Sequence, residues 1–210
     1  MKVLLLNGSP RKNGCTYTAL CEVQKTLLEC QIESDIFQIG TDSITGCRAC
    51  GACAKIQKCV IDDKVNKFVD MAVDYDGFVF GAPVYYASIN GTASSFLDRA
   101  FFSNARTSKH AFEKKPAFAL VSARRAGTTA SFDQLNKYFT ISQMPVISGR
   151  YWNMVHGRTP EDVLKDIEGL QNLRIASRNL AWILKCIEIG KNNGILSPEA
   201  ETPVITDFIR

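Results

Sequence analysis

Four cysteines stand close together in one short segment of the chain. Cys47, Cys50, Cys53 and Cys59 form a C-x2-C-x2-C-x5-C pattern. Ferredoxin-type iron-sulfur clusters use the C-x2-C-x2-C spacing, whereas structural zinc more often uses two C-x2-C pairs that lie well apart. The spacing therefore favours an iron-sulfur cluster over zinc. A set of reactive thiols without metal is the third interpretation.

A second candidate site is the polar segment from Asn7 to Thr16, which follows a short apolar run. If that run is a strand and a helix follows, the free N–H groups and positive dipole end of the helix can bind a phosphate. Gly8 and Gly14 permit the tight backbone that such a loop needs. The side chains that can add hydrogen bonds or charge are Ser9, Arg11, Asn13 and Thr16.

The residue content of this loop excludes two common phosphate-binding motifs. A P-loop has lysine directly after its second glycine, but here Cys15 follows Gly14. The dinucleotide fingerprint G-x-G-x-x-G is missing as well. We therefore expect a mononucleotide with one phosphate, and a flavodoxin-like strand order places flavin mononucleotide (FMN) at this point.

Two further loops could bind a flat ring beside that phosphate. An apolar wall and backbone amides can come from the residues after the third apolar run, which are Pro83, Val84, Tyr85 and Tyr86. The loop after the fourth run contains Arg124, Arg125, Ala126 and Gly127. Paired arginines suit an anion or the electron-rich end of a reduced ring. Positive charge at that position would make a flavin easier to reduce.

The elements that must position these loops follow a repeated pattern. Short apolar runs alternate with amphipathic stretches of helical length, which is typical of a parallel sheet covered by helices on both faces. The predicted strands are residues 2–7, 34–39, 77–82, 117–122 and 146–148. The predicted helices are residues 16–30, 63–73, 91–102, 131–140 and 161–189. The sequence thus predicts an α/β fold with a flavodoxin-like, doubly wound, five-stranded parallel sheet.

The composition limits the remaining possibilities. The chain has 210 residues, of which 46% are apolar and 22% charged, with a formal net charge of +4. We expect one domain over residues 1–210, with a cysteine-rich loop at 46–60 and a C-terminal helix and tail at 160–210. The charge is too small and scattered to indicate nucleic-acid binding. No apolar run reaches membrane-spanning length and no signal peptide is visible, so we expect a cytoplasmic protein.

Taken together, these motifs resemble the NADPH-dependent FMN reductase and iron-sulfur flavoprotein families of the flavodoxin superfamily. The resemblance covers about residues 1–157. It rests on Gly8-Ser9-Pro10-Arg11-Lys12, the segments 47–53 and 59–63, and Ala82-Pro83-Val84-Tyr85 followed by Leu97-Asp98-Arg99.

The resemblance implies a flavodoxin-like fold and a role for most of the candidate residues. Ser9, Arg11, Cys15 and Thr16 would surround the FMN phosphate, residues 83–86 the ring, and residues 124–127 its far side. All four clustered cysteines would bind a [4Fe-4S] cluster. The resemblance also implies a homodimer or homotetramer, with FMN near a subunit interface and electrons supplied by NADH or NADPH.

The leading functional hypothesis is an FMN-dependent NAD(P)H oxidoreductase that reduces a quinone, a free flavin or a similar acceptor. The main alternative is an iron-sulfur flavoprotein that exchanges electrons with a ferredoxin-like protein. A third possibility is a nucleotide-binding module that senses redox state through the cysteines at 47–59. The sequence contains no Ser-His-Asp or paired-carboxylate pattern, so no acid-base catalyst is predicted.

Overall fold

The computed structural model describes residues 1–206 and 208. The strands are β1 (Lys2–Asn7), β2 (Glu33–Gln38), β3 (Gly77–Tyr85), β4 (Ser88–Ile89), β5 (Ala117–Ala123) and β6 (Met154–His156). The helices are α1 (Cys15–Glu29), α2 (Ala52–Ile56), α3 (Lys64–Ala72), α4 (Gly91–Asn104), α5 (Thr128–Ile141), α6 (Pro160–Val163) and α7 (Ile167–Asn192).

The strands form one sheet in the order β2-β1-β3-β5-β6. All four neighbouring pairs along this path are parallel. The chain therefore winds outward from β1 in both directions, as the doubly wound prediction requires. The carboxyl ends of β1, β3 and β5 lie side by side, and the loops that follow them meet at one edge of the sheet.

The predicted number and limits of the strands need two corrections. The sheet has six strands, because the short β4 pairs with the end of β3 in antiparallel orientation. The last parallel strand is β6, whereas residues 146–148 were predicted. In that predicted segment, only Val146 bridges to Ala117. The fifth parallel strand thus lies further along the chain than predicted, at residues 154–156.

The turn between β3 and β4 has an unusual backbone. Tyr86 and Ala87 occupy its two central positions with φ of 51° and 58°. Two-residue hairpin turns of this kind normally contain glycine, asparagine or aspartate, since other residues are strained at positive φ. The sequence carries no such turn signal here, which is why the hairpin was not predicted.

Both faces of the sheet are covered by helices, and the side chains of β1 alternate between the two layers. Leu4 and Leu6 belong to the apolar core beneath α3, α4 and α5. Val3 and Leu5 belong to the core beneath α1 and α7. Burial on both sides explains the continuous apolar run of β1, because a strand with one solvated face would alternate with polar residues.

The predicted helix at residues 161–189 is in fact two helices. The short α6 ends at Val163, and α7 begins after Asp166, whose carboxylate accepts a hydrogen bond from the Gly169 N–H. Aspartate is a favoured residue at a helix N-terminus, so this start is chemically ordinary. In the described part of the chain, no helix combines the length and the apolar character needed to cross a membrane.

Candidate functional site

An open cleft of about 240 Å³ lies at the carboxyl edge of the sheet. It is lined by residues that follow or end β1, β3, β5 and β6, together with the start of α1. These residues are Ser9, Arg11, Cys15, Thr16, Pro83, Val84, Tyr85, Ser122, Ala123, Arg124, Gly157 and Arg158. The topology therefore brings together the three loops that the sequence singled out separately.

The loop after β1 is held by hydrogen bonds to β3 and to side chains of Asn7 and Ser9. The Gly8 N–H donates to the Gly81 carbonyl at 2.7 Å, and a side chain at Gly8 would place its Cβ 2.8 Å from the same oxygen. The Ser9 N–H donates to Asn7 Oδ1 at 3.1 Å, while Ser9 Oγ accepts from the Arg11 N–H at 3.1 Å. Only glycine fits this close approach, and the loop is shaped before any ligand arrives.

The start of α1 lies at the cleft, which its first two residues, Cys15 and Thr16, help to line. Gly14 precedes the helix, and among the described residues no side chain caps it. The first turn of a helix has N–H groups without helical partners and carries partial positive charge, which favours an anion. Thr16 is fixed at this end, because its hydroxyl lies 2.7 Å from the hydroxyl of Ser122. Asn13 does not line the cleft.

Cys15 is the first residue of α1 and faces the same space. Its Sγ lies 3.6 Å from the Gly157 carbonyl. Burial raises the pKa of the Cys15 thiol, although the backbone hydrogen bond and nearby Arg11 oppose that change. The thiol is therefore neutral at physiological pH and adds no negative charge beside a bound phosphate.

Three of the four residues predicted to form the ring wall lie at the cleft. Pro83, Val84 and Tyr85 line the cleft, but Tyr86 does not. Tyr86 stands at the tip of the β3-β4 turn and is fully exposed. The strained turn thus presents an aromatic side chain to solvent beside the cleft.

Of the predicted arginine loop, Arg124 alone lines the cleft, and Arg125, Ala126 and Gly127 lie outside it. Gly127 has φ of +92°, and a Cβ there would lie 2.7 Å from Ala87 Cα and 2.9 Å from Val84 Cγ1. The loop therefore packs directly on the β3-β4 turn. This contact fixes the distance between the ring wall and the arginine side of the cleft.

Four cleft residues were not predicted from the sequence, namely Ser122, Ala123, Gly157 and Arg158. Gly157 and Arg158 directly follow β6, which the sequence analysis placed elsewhere. The only way to predict these residues from the sequence is the rule that ligands bind at the carboxyl ends of parallel strands. Once β6 is known, that rule points to both residues.

The four clustered cysteines line a second, much smaller cavity of about 30 Å³. Cys53 is buried, Cys59 partly buried, and Cys47 and Cys50 are exposed. The other lining residues are Arg48, Gly51, Val60, Ile61, Arg99, Phe102 and Ser103. In the described chain, no three His, Cys, Asp or Glu side chains converge on a single metal position. The thiols surround a space and do not meet at one point.

Side chains from α3 hold the end of this cysteine loop. The Cys59 N–H donates to Asn66 Oδ1 at 3.1 Å, and Asn66 Nδ2 donates to the Cys59 carbonyl at 2.9 Å. Asp63 Oδ1 accepts a hydrogen bond from the Val65 N–H at 2.9 Å and so begins α3. The sequence segment 59–66 is thereby folded into a compact unit that presents Cys59 to the cavity.

Solved structures share this fold at low sequence identity. RosB, with a bound 8-demethyl-8-formylriboflavin 5′-phosphate intermediate, aligns with a TM-score of 0.67 over 100% of this chain and 94% of its own, at 13% identity. A flavodoxin from the domain Archaea aligns with a TM-score of 0.58 over 88% and 99%, also at 13% identity. The fold is therefore flavodoxin-like.

Sequence comparison identifies more specific relatives. An iron-sulfur flavoprotein of Methanocaldococcus jannaschii is 26% identical over 90% of this chain and 100% of its own length. One from Clostridioides difficile is 28% identical over 94% of this chain and 84% of its own length. The profile of the NADPH-dependent FMN reductase family matches residues 1–159. The chain accordingly belongs to the NADPH-dependent FMN reductase family.

Proposed function

We propose that this protein is an FMN oxidoreductase that carries a [4Fe-4S] cluster at Cys47, Cys50, Cys53 and Cys59 and uses it to exchange single electrons with a partner. The observation that carries this proposal is that all four cysteines border one cavity. Among the described residues, none lines both that cavity and the cleft. One chain thus contains two chemically different sites. The names of the curated relatives support the proposal.

The cleft residues fit the phosphate of FMN. The free N–H groups of α1 and the hydroxyl of Ser9 offer donors to phosphate oxygens, and Arg11 adds a positive charge. Cys15 and Thr16 close the same end of the cleft. We assign the phosphate to these residues. Asn13, which lies outside the lining, remains a predicted contact.

The opposite end of the cleft fits the ring. Pro83, Val84 and Tyr85 give an apolar surface, and Arg124 adds positive charge to the same cleft. We assign Arg124 to the pyrimidine side, where its charge favours the anionic reduced ring. The other predicted contacts, Tyr86, Arg125, Ala126 and Gly127, would act by holding the shape of this end.

The cysteine cavity fits an iron-sulfur cluster by the chemistry of its donors. Four thiols are the usual ligand set, and the positive charges of Arg48 and Arg99 offset the negative charge of thiolates. Val60, Ile61 and Phe102 add apolar surface to the wall of the cavity.

When bound, FMN would accept hydride from a nicotinamide and the cluster would accept single electrons, so the pair would convert two-electron to one-electron transfer. The protein's own residues orient the ring, exclude water and set the local charge. None of them needs to move a proton. The proposed partners are a ferredoxin-like protein or a small-molecule acceptor, and a cytoplasmic homodimer or homotetramer remains a prediction.

A second candidate function is direct reduction of a quinone or free flavin by NADH or NADPH, without a cluster. It is favoured by two exposed arginines at the cleft, Arg124 and Arg158. In the portion of the chain that the structure describes, neither arginine forms a salt bridge. Both are therefore available to the phosphates of a dinucleotide that lies over the ring.

Anaerobic purification followed by stopped-flow mixing tests both candidates. We expect about one FMN and four iron and four sulfide per chain, and bleaching of the flavin when NADPH or NADH is added. Iron and sulfide at background levels, with rapid bleaching, would support the direct reductase. Bound iron without bleaching by either nucleotide would instead make the protein a carrier fed by another protein. Colourless protein that takes up no FMN would overturn both candidates.

A further inference from the structure

Arg99 is an almost completely buried charge in the interior of α4. Its side chain is 1% exposed. Its guanidinium donates to Thr45 O at 3.3 Å, Asp63 Oδ2 at 2.5 Å, Asp63 Oδ1 at 3.0 Å, Ile61 O at 2.8 Å and Cys59 Sγ at 3.4 Å. Burial of an ion costs several kcal/mol unless it is fully paired. The hydrogen bonds and the ion pair of Arg99 must therefore offset the cost of burying its charge.

The contacts of Arg99 bracket the cysteine loop from both ends. Thr45 lies just before the first cysteine of the cluster, and Cys59 is the last. Asp63 and Ile61 follow directly and lead into α3. One side chain thus ties the entry and exit of the loop to α4, while also forming part of the wall of the cavity.

The guanidinium has one donor left over. Among the described residues, Arg99 Nε is buried and has no hydrogen-bond partner. Buried N–H groups are nearly always paired, and an exception calls for an explanation. An arginine that lines the cavity, contacts one cysteine sulfur and keeps a spare N–H has the features expected beside a sulfur-rich group.

We infer that Arg99 is a positioning residue that sets the reduction potential of the cluster through its hydrogen bond to Cys59, with Asp63 as the opposing charge. This inference rests on the proposed cluster. An electron that enters the cluster adds one negative charge, and the reduced form gains most from a cation that donates to a ligand sulfur. Arginine keeps its charge under all relevant conditions, so its contribution is constant.

Substitution of Arg99 and substitution of Asp63 should shift the reduction potential of the cluster in opposite directions. Removal of the cation by Arg99→Gln disfavours the reduced cluster and lowers its potential. Asp63→Asn removes the negative partner and leaves Arg99 uncompensated, which raises the potential. Asparagine keeps Oδ1 as acceptor for the Val65 N–H and for Arg99 Nη2, and it is as good a helix N-cap as aspartate. A purely structural role would move both variants the same way.

The test is an anaerobic redox titration of the purified holoprotein, followed by electron paramagnetic resonance for the cluster and visible absorbance for the flavin. We expect at least a tenfold change in the one-electron equilibrium, about 59 mV, downward in Arg99→Gln and upward in Asp63→Asn. Arg99→Lys, which keeps the charge but not the planar fork, should fall between wild type and Arg99→Gln. The flavin potential should stay constant, since neither residue lines the cleft.

The outcomes separate this inference from the proposed function. Wild-type protein that binds iron, combined with shifts of the same sign or no shift in Asp63→Asn and Arg99→Gln, overturns the role of Arg99 alone. Wild-type protein without iron overturns the proposed cluster and this inference with it. Should Arg99→Gln fail to fold, the upward shift in Asp63→Asn and a downward shift from wild type in Arg99→Lys still decide the question.

Discussion

The cleft and the cysteine cavity are built in different ways. The cleft is formed by the ends of strands and the start of α1, and its shape depends on backbone contacts such as the one between Gly8 and Gly81. The cavity is formed by the cysteine-rich segment, which contains little regular structure apart from the short α2, and side chains of α3 and α4 hold it in place. Changes in the cavity should therefore act locally, whereas changes in the cleft should also disturb the sheet edge.

The largest effect is expected where the cavity loses a ligand. Cys50→Ser should reduce bound iron to background while the affinity for FMN stays the same, because the two sites use separate residues. Iron analysis and flavin titration of the anaerobically purified variant measure both. Cys186→Ser is the matched control, since Cys186 is an exposed cysteine of α7 outside the cavity. Loss of both cofactors from Cys50→Ser would show that the two regions depend on one another.

The next effect tests the backbone contact that shapes the cleft. Gly127→Ala combines a left-handed backbone with a Cβ 2.7 Å from Ala87 Cα. We expect the free energy of unfolding to fall by about 2 to 4 kcal/mol, since each of these strains costs about 1 to 3 kcal/mol. FMN binding should weaken as well, while iron content should not change. Denaturant unfolding, flavin titration and iron analysis give the three values.

Gly91→Ala provides the control for that substitution. Gly91 is the first residue of α4, and a Cβ there would meet nothing within 4 Å. Its unfolding free energy should stay within about 0.5 kcal/mol of wild type or rise slightly. Equal losses in the two variants would show that the hairpin contact is unimportant.

The elements that sequence reasoning predicted well are those with strong apolar patterns. The run at residues 3–6 is buried on both faces, so β1 was placed correctly. The three-residue β6 has one buried residue, Val155, and it pairs only at the edge of the sheet. So weak a pattern cannot compete with Val146 and Ile147, which are more apolar but form only an isolated bridge.

The residues of the candidate site were likewise predicted well where they follow a strand with a strong apolar pattern. Residues that come directly after well-patterned strands, such as Ser9 and Pro83, were assigned to the cleft and line it. Arg158 was missed because its strand was misplaced. Arg99 was noted as part of a motif, but its burial against Asp63 and Cys59 depends on contacts 36 and 40 residues away. No pattern among neighbouring residues of the sequence indicates a pairing over such a distance along the chain.

A smaller effect is expected from the charge beside the phosphate. Arg11→Ala should weaken FMN binding by about 1 to 3 kcal/mol, the usual contribution of a hydrogen bond to a charged group. Lys12→Ala is the control, because Lys12 is the exposed neighbour and does not line the cleft. Flavin fluorescence titration measures both affinities at one salt concentration. An unchanged affinity in Arg11→Ala would refute the assignment of this arginine to the phosphate.

The smallest effect concerns the Cys15 thiol, which lines the cleft where the FMN phosphate is proposed to bind, unlike the four thiols of the cavity. Burial raises the pKa of Cys15 above the ordinary value for cysteine. Below that pKa the thiol is neutral and FMN binds at full affinity. As the pH rises through it, the thiolate repels the phosphate dianion, so the affinity should fall severalfold at alkaline pH.

Cys15→Ser isolates this contribution, because serine keeps a donor for the Gly157 carbonyl that now lies 3.6 Å from the sulfur but does not ionise. Its FMN affinity should remain flat over the range in which that of the wild type declines. Flavin titration of both proteins from neutral to alkaline pH measures the difference. Bound FMN should in turn slow alkylation of Cys15, since linkage is reciprocal: an anion that disfavours the thiolate raises the pKa of Cys15 further. Parallel declines in the two proteins would place the responsible group elsewhere in the cleft and remove the distinction between its thiol and the thiols of the cavity.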